Sequence, residues 1–496
     1  MPDSASDPAR LGAPYDLAVV GAGPAGLAGA VAAAELGLSV ALLDAAADTG
    51  GQFYRTPDPA LGAARPEVLH HDWPAYAALR RRLDRVHHLP GHHVWSVTRD
   101  GADGPWAVHA VTGADGSAER PVRVRARAVL LATGAYERQL PFPGWTLPGV
   151  VAAGGAQAML KSGLVLPGRR IVVAGSGPLL LAVASSLAAA GARVPAVVEA
   201  TGYLRYTRHP RALLANPHKA VEALAHGAGL LRHRVPVRTR SAVTAVHGTD
   251  RVTAVTVSRV DRDWQPLPGT ERRIACDALA VGHGLVPQIE LATTLGCATR
   301  ALPDGSHALA LTGLQETSVR GLWAAGETGG VGGAQLARTE GELAGLAVAA
   351  RVLGRPVRPA RVRELRRRRD RQRAFADAMA AAHAPGPGWP RWLTDDTDVC
   401  RCEEVTAGRI RAAVDDLGAR DSRTVKLLTR AGMGWCQGRM CGPAVSCLAT
   451  GGTRAHLPPD RRPFAVPVPL SALAGLPEAD EPAQPTAEEP ARRHEP

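Results

Sequence analysis

The chain has 496 residues with 54 Gly, 40 Pro, 45% hydrophobic residues and only 4% aromatics. At roughly 100–200 residues per domain this implies two to four domains, and it excludes a collagen or a wholly disordered chain. Half of the formal charge of +12 sits in residues 361–373, which hold eight Arg and two acids; with no binding motif and few aromatics for stacking, that run reads as a solvated helix face, and no nucleic-acid partner is expected.

The start MPDSASDPAR places two Asp ahead of its single Arg, so the positive region of a signal peptide is missing. Residues 17–34 and 171–192 are uncharged and long enough, at about 18 residues, to span a membrane. Each, however, carries Gly-x-Gly-Pro after a short β-branched run, which reads as strand, tight turn and helix. A soluble, cytoplasmic protein without a membrane span is expected. Its seven Cys should then be reduced, so clustered thiols point to metal or catalysis before disulfides.

The first unit, DLAVVGAGPAGLAGAVAAAELGLSVALLDAA, predicts strand, glycine turn, Ala-rich helix and strand. In Gly21-Ala22-Gly23-Pro24-Ala25-Gly26, Gly21 allows the turn, Gly23 admits a pyrophosphate, and Gly26 lets the helix pack close to the sheet. Asp44 ends the second strand, where a carboxylate can accept from ribose hydroxyls. These features predict a dinucleotide site without naming the dinucleotide. Six His follow (His70, His71, His87, His88, His92, His93), but Leu89-Pro90-Gly91 breaks the helix that would align His88 with His92. They read as solvated or core residues rather than ligands.

A second copy, RRIVVAGSGPLLLAVASSLAAAGARVPAVVEA, begins near residue 169. Gly175 and Gly177 keep the first two glycines, but Leu180 replaces the third, so the helix must shift or the site is altered. Glu199 would suit the 2′-hydroxyl of NAD and repel the 2′-phosphate of NADP. Two readings stand: an NAD(H) site, or a retained fold that holds no nicotinamide.

Cys400-Arg401-Cys402 is followed, after residues 403–435, by Cys436-Gln-Gly-Arg-Met-Cys441. Four thiolates in C-x-C and C-x4-C pairs can enclose a [2Fe–2S] centre with two Cys per iron; zinc is the alternative. Cys447 lies outside the spacing, and Cys276 and Cys297 are isolated. No C-x4-C pair follows the first strand–helix unit, so disulfide-reductase chemistry is unsupported.

Leu130-Leu-Ala-Thr133-Gly134-Ala135 resembles the Ala-Thr-Gly motif of two-dinucleotide-domain flavoproteins, and Thr317 to Gly326-Glu327 resembles their second FAD motif. The resemblance implies FAD in the first site, with a carboxylate at Glu327, usually Asp, holding the ribityl chain. It also implies a loop at Gly50-Gly51-Gln52 over the flavin. The N-terminal amides of the helix beginning near Gly332-Gly333-Ala334-Gln335 would then face the pyrimidine edge.

Together with PFPGWTLPGV and CRCEEVT…GMGWCQGRMCGP, these segments resemble the FAD-binding flavoprotein subunit of opine (octopine and nopaline) oxidases. That group is similar to hydroxyproline and proline dehydrogenase α subunits, to the flavin subunit of hydrogen cyanide synthase, and to part of sarcosine oxidase α. The likeness runs from about residue 14 to 445.

The expected fold is α/β: two Rossmann-like dinucleotide-binding domains followed by a small helical [2Fe–2S] domain of bacterioferritin-associated-ferredoxin type. The expected boundaries are 14–150 with 282–352 for FAD, 151–281 for the NAD-type domain and 353–394 for an Arg-rich helical linker. Residues 395–455 form the cluster domain, and 456–496 an extended, largely disordered tail. The function implied is that of an FAD-dependent electron-transferring subunit in an amine or imino-acid dehydrogenase. Its implied partners are a second flavoprotein subunit, of amino-acid-oxidase type, and a one-electron acceptor. A stand-alone NADH reductase and a non-enzymatic redox or iron sensor are the alternatives.

Overall fold

The computed structural model describes residues 14–101, 104–113, 119–451 and 464–474. Apolar β-branched runs pair in parallel to make the first sheet. His87–Leu89, Val40–Leu43, Tyr15–Val20 and Arg120–Leu131 lie side by side, and Leu322–Ala324 returns late in the chain to pair with Arg120–Leu131. Trp106–Thr112 and His93–Arg99 extend this sheet antiparallel. Helices Pro24–Ala34 and Ala334–Val352 cross the buried face of the sheet back to back. A Cβ on Gly341 would lie 2.0 Å from the Ala25 carbonyl oxygen, so the crossing requires glycine there.

The second sheet is wholly parallel, in the order Val237–Thr239, Val197–Glu199, Ile171–Gly175, Ala278–Gly282, Val150–Ala152. A three-stranded antiparallel sheet (Ser241–His247, Ala254–Arg259, Arg272–Ala275) packs beside it. The chain passes from the first sheet to the second and back through two short strands, Ala135–Glu137 and Leu285–Pro287, paired antiparallel. Strands alternating with helices in this way give the doubly wound architecture.

The Arg-rich run forms helix Pro359–Ala382. Arg363, Arg366, Arg367 and Arg371 are exposed, but Arg373 is driven inward onto Glu340. The run is therefore a solvated face with buried anchors. The Cys-bearing segment follows as three short helices, Ala407–Asp415, Ser422–Thr429 and Gly442–Ala449; the side chains of Thr406 and Asp421 cap the first two. Its core is continuous with that of the second sheet through Trp264, Trp389 and Trp392. Trp264 and Trp392 stack at 6.0 Å, and the Trp145 indole donates to the Asp398 carbonyl.

The expectation of a largely disordered tail needs correction for Phe464–Ala474. The Ala465 amide donates to the Trp95 carbonyl at 2.9 Å, Phe464 meets Trp95 edge-on, and Ala472 is buried with Trp95 and Val111. Apolar residues inside a Pro-rich segment found a groove to cover. Residues 456–463 and 475–496 lie outside the described residues. Among the described residues, no helix is long and apolar enough to cross a membrane.

Candidate functional site

The first glycine turn separates packing from binding. A Cβ on Gly21 would fall 2.4 Å from the Ala132 carbonyl oxygen, and one on Gly26 only 1.8 Å from that of Gly21. On Gly23 it would meet nothing nearer than the Gly51 Cα at 3.9 Å. Gly21 and Gly26 are thus glycines for the protein's own packing, while Gly23 is bare on the side a pyrophosphate would approach. Helix Pro24–Ala34 has no side-chain cap and no acid in its first turn, which leaves its positive end for a ligand anion. Asp44, half-buried at the end of its strand, accepts from the amides of Ala22 and Ala46.

A cavity of about 2740 Å³ opens from this turn. Gly21, Gly23, Pro24, Ala25, Asp44, Gly51, Gln52, Thr133, Gly134, Gly326 and Glu327 all line it, and Gly26 sits behind the turn. His92 and His93 reach its rim near Asp44. The site assigned from the first glycine motif and the two later FAD-type segments is thus brought together around one space large enough for a dinucleotide.

Glu327 does more than the resemblance implied. Its carboxylate accepts from the amides of Gly332 at 2.7 Å and Gly333 at 3.0 Å. Those two amides are therefore taken, which leaves the first amides of the helix itself, from Ala334 onward, with no side-chain cap at the cavity. The extra methylene of Glu lets the side chain fold back onto the loop entering helix Ala334–Val352. Burial pushes its pKa up, against the pull of the two amides. Each oxygen keeps a lone pair for a ribityl hydroxyl.

The second turn is built differently. Its helix, Leu179–Ala189, starts four residues after Gly175, whereas Pro24 comes three after Gly21, and Leu180 is buried where the third glycine belongs. Glu199 is fully buried and does not line the cavity. One carboxylate oxygen takes the Gly177 amide at 3.0 Å. The other takes the Thr201 amide and hydroxyl, with His383 Nδ1 at 3.6 Å. Burial pushes the Glu199 pKa up, but the bonds from His383 and Thr201 outweigh it and hold the carboxyl below its ordinary value. His383, just past the Arg-rich helix, also contacts the hydroxyls of Thr201 at 2.9 Å and Tyr206 at 3.1 Å. The side chain expected to meet a ribose is held under a lid from the linker, while Ser176, Gly177, Pro178 and Leu179 face the cavity from this turn's glycine segment.

The four cluster cysteines lie on two loops, but the close pairs cross between the loops: Cys400 with Cys441, and Cys402 with Cys436. Cys402 also feels Cys400 and Cys441 feels Cys436, so all four thiols gather in one place. The crossing follows depth, since Cys400 and Cys441 are buried, Cys402 is exposed and Cys436 is intermediate. The Cys441 thiol donates to Cys400 and, helped by the amides of Gly432, Glu403 and Cys402, pulls the Cys400 pKa down to about 5 against burial. The Gly432 amide lies 3.4 Å from the Cys400 sulfur. Amides aimed at a thiolate are the donor set that stabilises cluster sulfurs, so these residues fit a [2Fe–2S] centre held by Cys400, Cys402, Cys436 and Cys441. Among the described residues no group of three or more His, Cys, Asp or Glu is placed to hold a single metal ion. Cys447, Cys276 and Cys297 lie apart, and burial raises all three.

Sequence reasoning missed the residues joining the two sites. Arg439, inside the C-x4-C loop, pairs with Glu290 at 3.0 Å and donates to the Ala465 carbonyl. Glu290 lines the cavity, as do Trp435 and Met440 from the cluster loop. Glu137, at the crossing between the sheets, accepts from the Gly154 amide at 2.8 Å, and burial pushes its pKa up to about 7. Glu340 takes the Gly326 amide on one oxygen and Arg373 on the other. No local pattern marks any of them.

Residues 15–341 match the family model described as pyridine nucleotide-disulphide oxidoreductase, and residues 399–448 match that of the BFD-like [2Fe–2S] binding domain. The chain is similar to hydrogen cyanide synthase subunit HcnB of Pseudomonas protegens, 34% identical over 85% of this chain and 89% of the relative. It is equally similar to an opine oxidase subunit of Agrobacterium tumefaciens, 34% identical over 93% and 92%. The L-proline dehydrogenase structure from P. horikoshii superposes with a TM-score of 0.64 over 93% of this chain and 79% of its own, at 20% identity, a likeness of fold.

Proposed function

The chain belongs to the pyridine nucleotide-disulphide oxidoreductase family, and from that premise we propose that it is the electron-transferring subunit of an amine or imino-acid dehydrogenase acting on an opine, hydroxyproline or similar substrate. It is an FAD-dependent oxidoreductase with FAD and a [2Fe–2S] cluster as cofactors. HcnB and the opine oxidase relative are, by name, subunits of larger enzymes, which implies partner subunits here. When bound, FAD takes two electrons as a hydride equivalent and the cluster passes them singly, which suits a chain placed between a two-electron donor and a one-electron acceptor.

One observation carries the reading: the cavity that begins at Gly23 and Asp44 ends against Trp435 and Met440, beside and between two of the cluster cysteines. Gly23 and the uncapped helix behind it would seat the pyrophosphate. Arg439 and Glu290 pin the cluster loop against the same space. All seven cysteines are free thiols and none forms a C-x2-C pair, so the family's disulfide chemistry has no dithiol to use here. A second flavoprotein subunit of amino-acid-oxidase type would oxidise the C–N bond, and a one-electron carrier would take the electrons away.

Anaerobic stopped-flow mixing separates this from a stand-alone reductase. The flavin of this chain should bleach when the complete assembly meets a secondary amine or imino acid, and should stay oxidised with NADH alone. Rapid bleaching by NADH in the isolated chain would establish the reductase instead.

A further inference from the structure

Helix Pro217–Arg232 is amphipathic the wrong way round for a helix on the outside of a lone subunit. Lys219, Glu222 and His226 line the central cavity, with Lys219 paired to Glu222 at 2.7 Å. On the opposite face Val221, Leu224 and Leu231 are 66%, 72% and 80% exposed. With Pro217 and Ala228 they recur at spacings of four, three, four and three residues, which is a single seam along the helix. Leu214, ending the short helix Pro210–Leu214 just before it, is also 82% exposed. A contiguous strip of apolar side chains left in water marks an interaction surface.

The charges at the ends of the seam indicate what covers it. Arg208 and Arg211 precede it and Arg232 and Arg234 follow it; all four are exposed, and none forms an ion pair among the described residues. Glu222 is the one acid in residues 203–234, and it is turned inward onto Lys219. A second copy of this chain would bring arginine against arginine whether the helices ran parallel or antiparallel, a repulsion that disfavours self-pairing. An apolar helix or groove flanked by carboxylates meets both features.

We propose that the outer face of helix Pro217–Arg232 is the surface on which this subunit docks to a different subunit of its assembly, one presenting an apolar strip with acidic ends. The inference rests on the multi-subunit reading above and adds its location. It also places the partner one helix thickness from the cavity, with Lys219, Glu222 and His226 on the inner side of that helix.

The test is a photo-cross-linking residue in place of Leu224, in the assembly purified from its source through a tag on this chain. Irradiation should join this chain to a second, flavin-containing polypeptide of different sequence. Leu224→Glu combined with Leu231→Glu should lower the co-purified partner by about tenfold or more, and Arg211→Glu with Arg232→Glu should also lower it. FAD and iron per chain and the melting temperature should stay at wild-type levels, which excludes misfolding as the cause. Undiminished partner with both double variants, or adducts joining two copies of this chain, would overturn the docking surface while leaving the multi-subunit reading in place. A wild-type chain that purifies with no other polypeptide would overturn that reading, and the docking surface with it.

Discussion

Glu199 and His383 lie 3.6 Å apart, and together they shut the second dinucleotide turn from within. The equivalent acid of the first turn, Asp44, is shorter and takes the amide of Ala22, the middle residue of its turn; Glu199 reaches one residue further and takes the amide of Gly177. That is the glycine amide a pyrophosphate would need. His383→Ala is therefore expected to bind NADH at least about tenfold more tightly than the wild type by calorimetry, a gain of about 1.4 kcal/mol. Equal affinities would show that the linker does not limit access.

Gly23 and Gly26 should fail differently when substituted. Gly23→Val fills the space of the pyrophosphate, its Cβ meeting protein only at the Gly51 Cα in ordinary contact at 3.9 Å, so the chain should fold and lose its FAD. Gly26→Ala drives a methyl into the Gly21 carbonyl oxygen. It should cost about 1–3 kcal/mol of stability whether or not flavin is present. Flavin absorbance with thermal unfolding separates the two; full flavin occupancy in Gly23→Val would count against the assigned site.

Arg373 and Glu340 form a nearly dry pair, with side chains 12% and 2% exposed. Removing the cation leaves a buried carboxylate whose other oxygen supports Gly326. Arg373→Ala should destabilise the fold by about 3–5 kcal/mol, visible in denaturant unfolding. A change within error would mean that Glu340 simply takes up a proton at little cost.

These contrasts show what the sequence can carry. The first glycine turn was legible because strand, turn, helix and acid are local, and their stereochemistry leaves few alternatives. The Cys segment was legible by spacing, but its pairing was not, because which sulfurs meet depends on how deep each loop sits. His383, Arg373 and Arg439 were illegible: each acts on a partner far away in the chain, and Arg373 is hidden in a run whose composition suggests nothing but solvent exposure. Tail residues Phe464–Ala474 were misread because Pro-rich composition says nothing of a groove waiting on another strand.

Glu137 supplies a pH dependence. Its pKa rises from 4.5 to about 7 in the folded chain, chiefly through burial. Because the folded-state value lies above the unfolded one, the protonated form is favoured by folding. Its contribution is full below pH 4.5 and is lost as pH rises through about 7, amounting to about 1–3 kcal/mol. Glu137→Gln keeps an oxygen for the Gly154 amide and removes the titration. Its melting temperature should therefore gain on the wild type between about pH 5 and pH 8. Parallel curves for the two proteins would place the charge elsewhere.

The central claim, that electrons on FAD reach a [2Fe–2S] centre in the same chain, is tested most directly by anaerobic photoreduction followed by flavin absorbance and low-temperature EPR. In the wild type, flavin bleaching should be followed by a reduced-cluster signal approaching about one spin per chain. In Cys402→Ser the flavin should still bleach, with the cluster signal lost or sharply diminished, and Cys447→Ser should behave as the wild type. Zinc as the sole metal, or reduced flavin persisting beside a cluster that stays oxidised, would contradict the account.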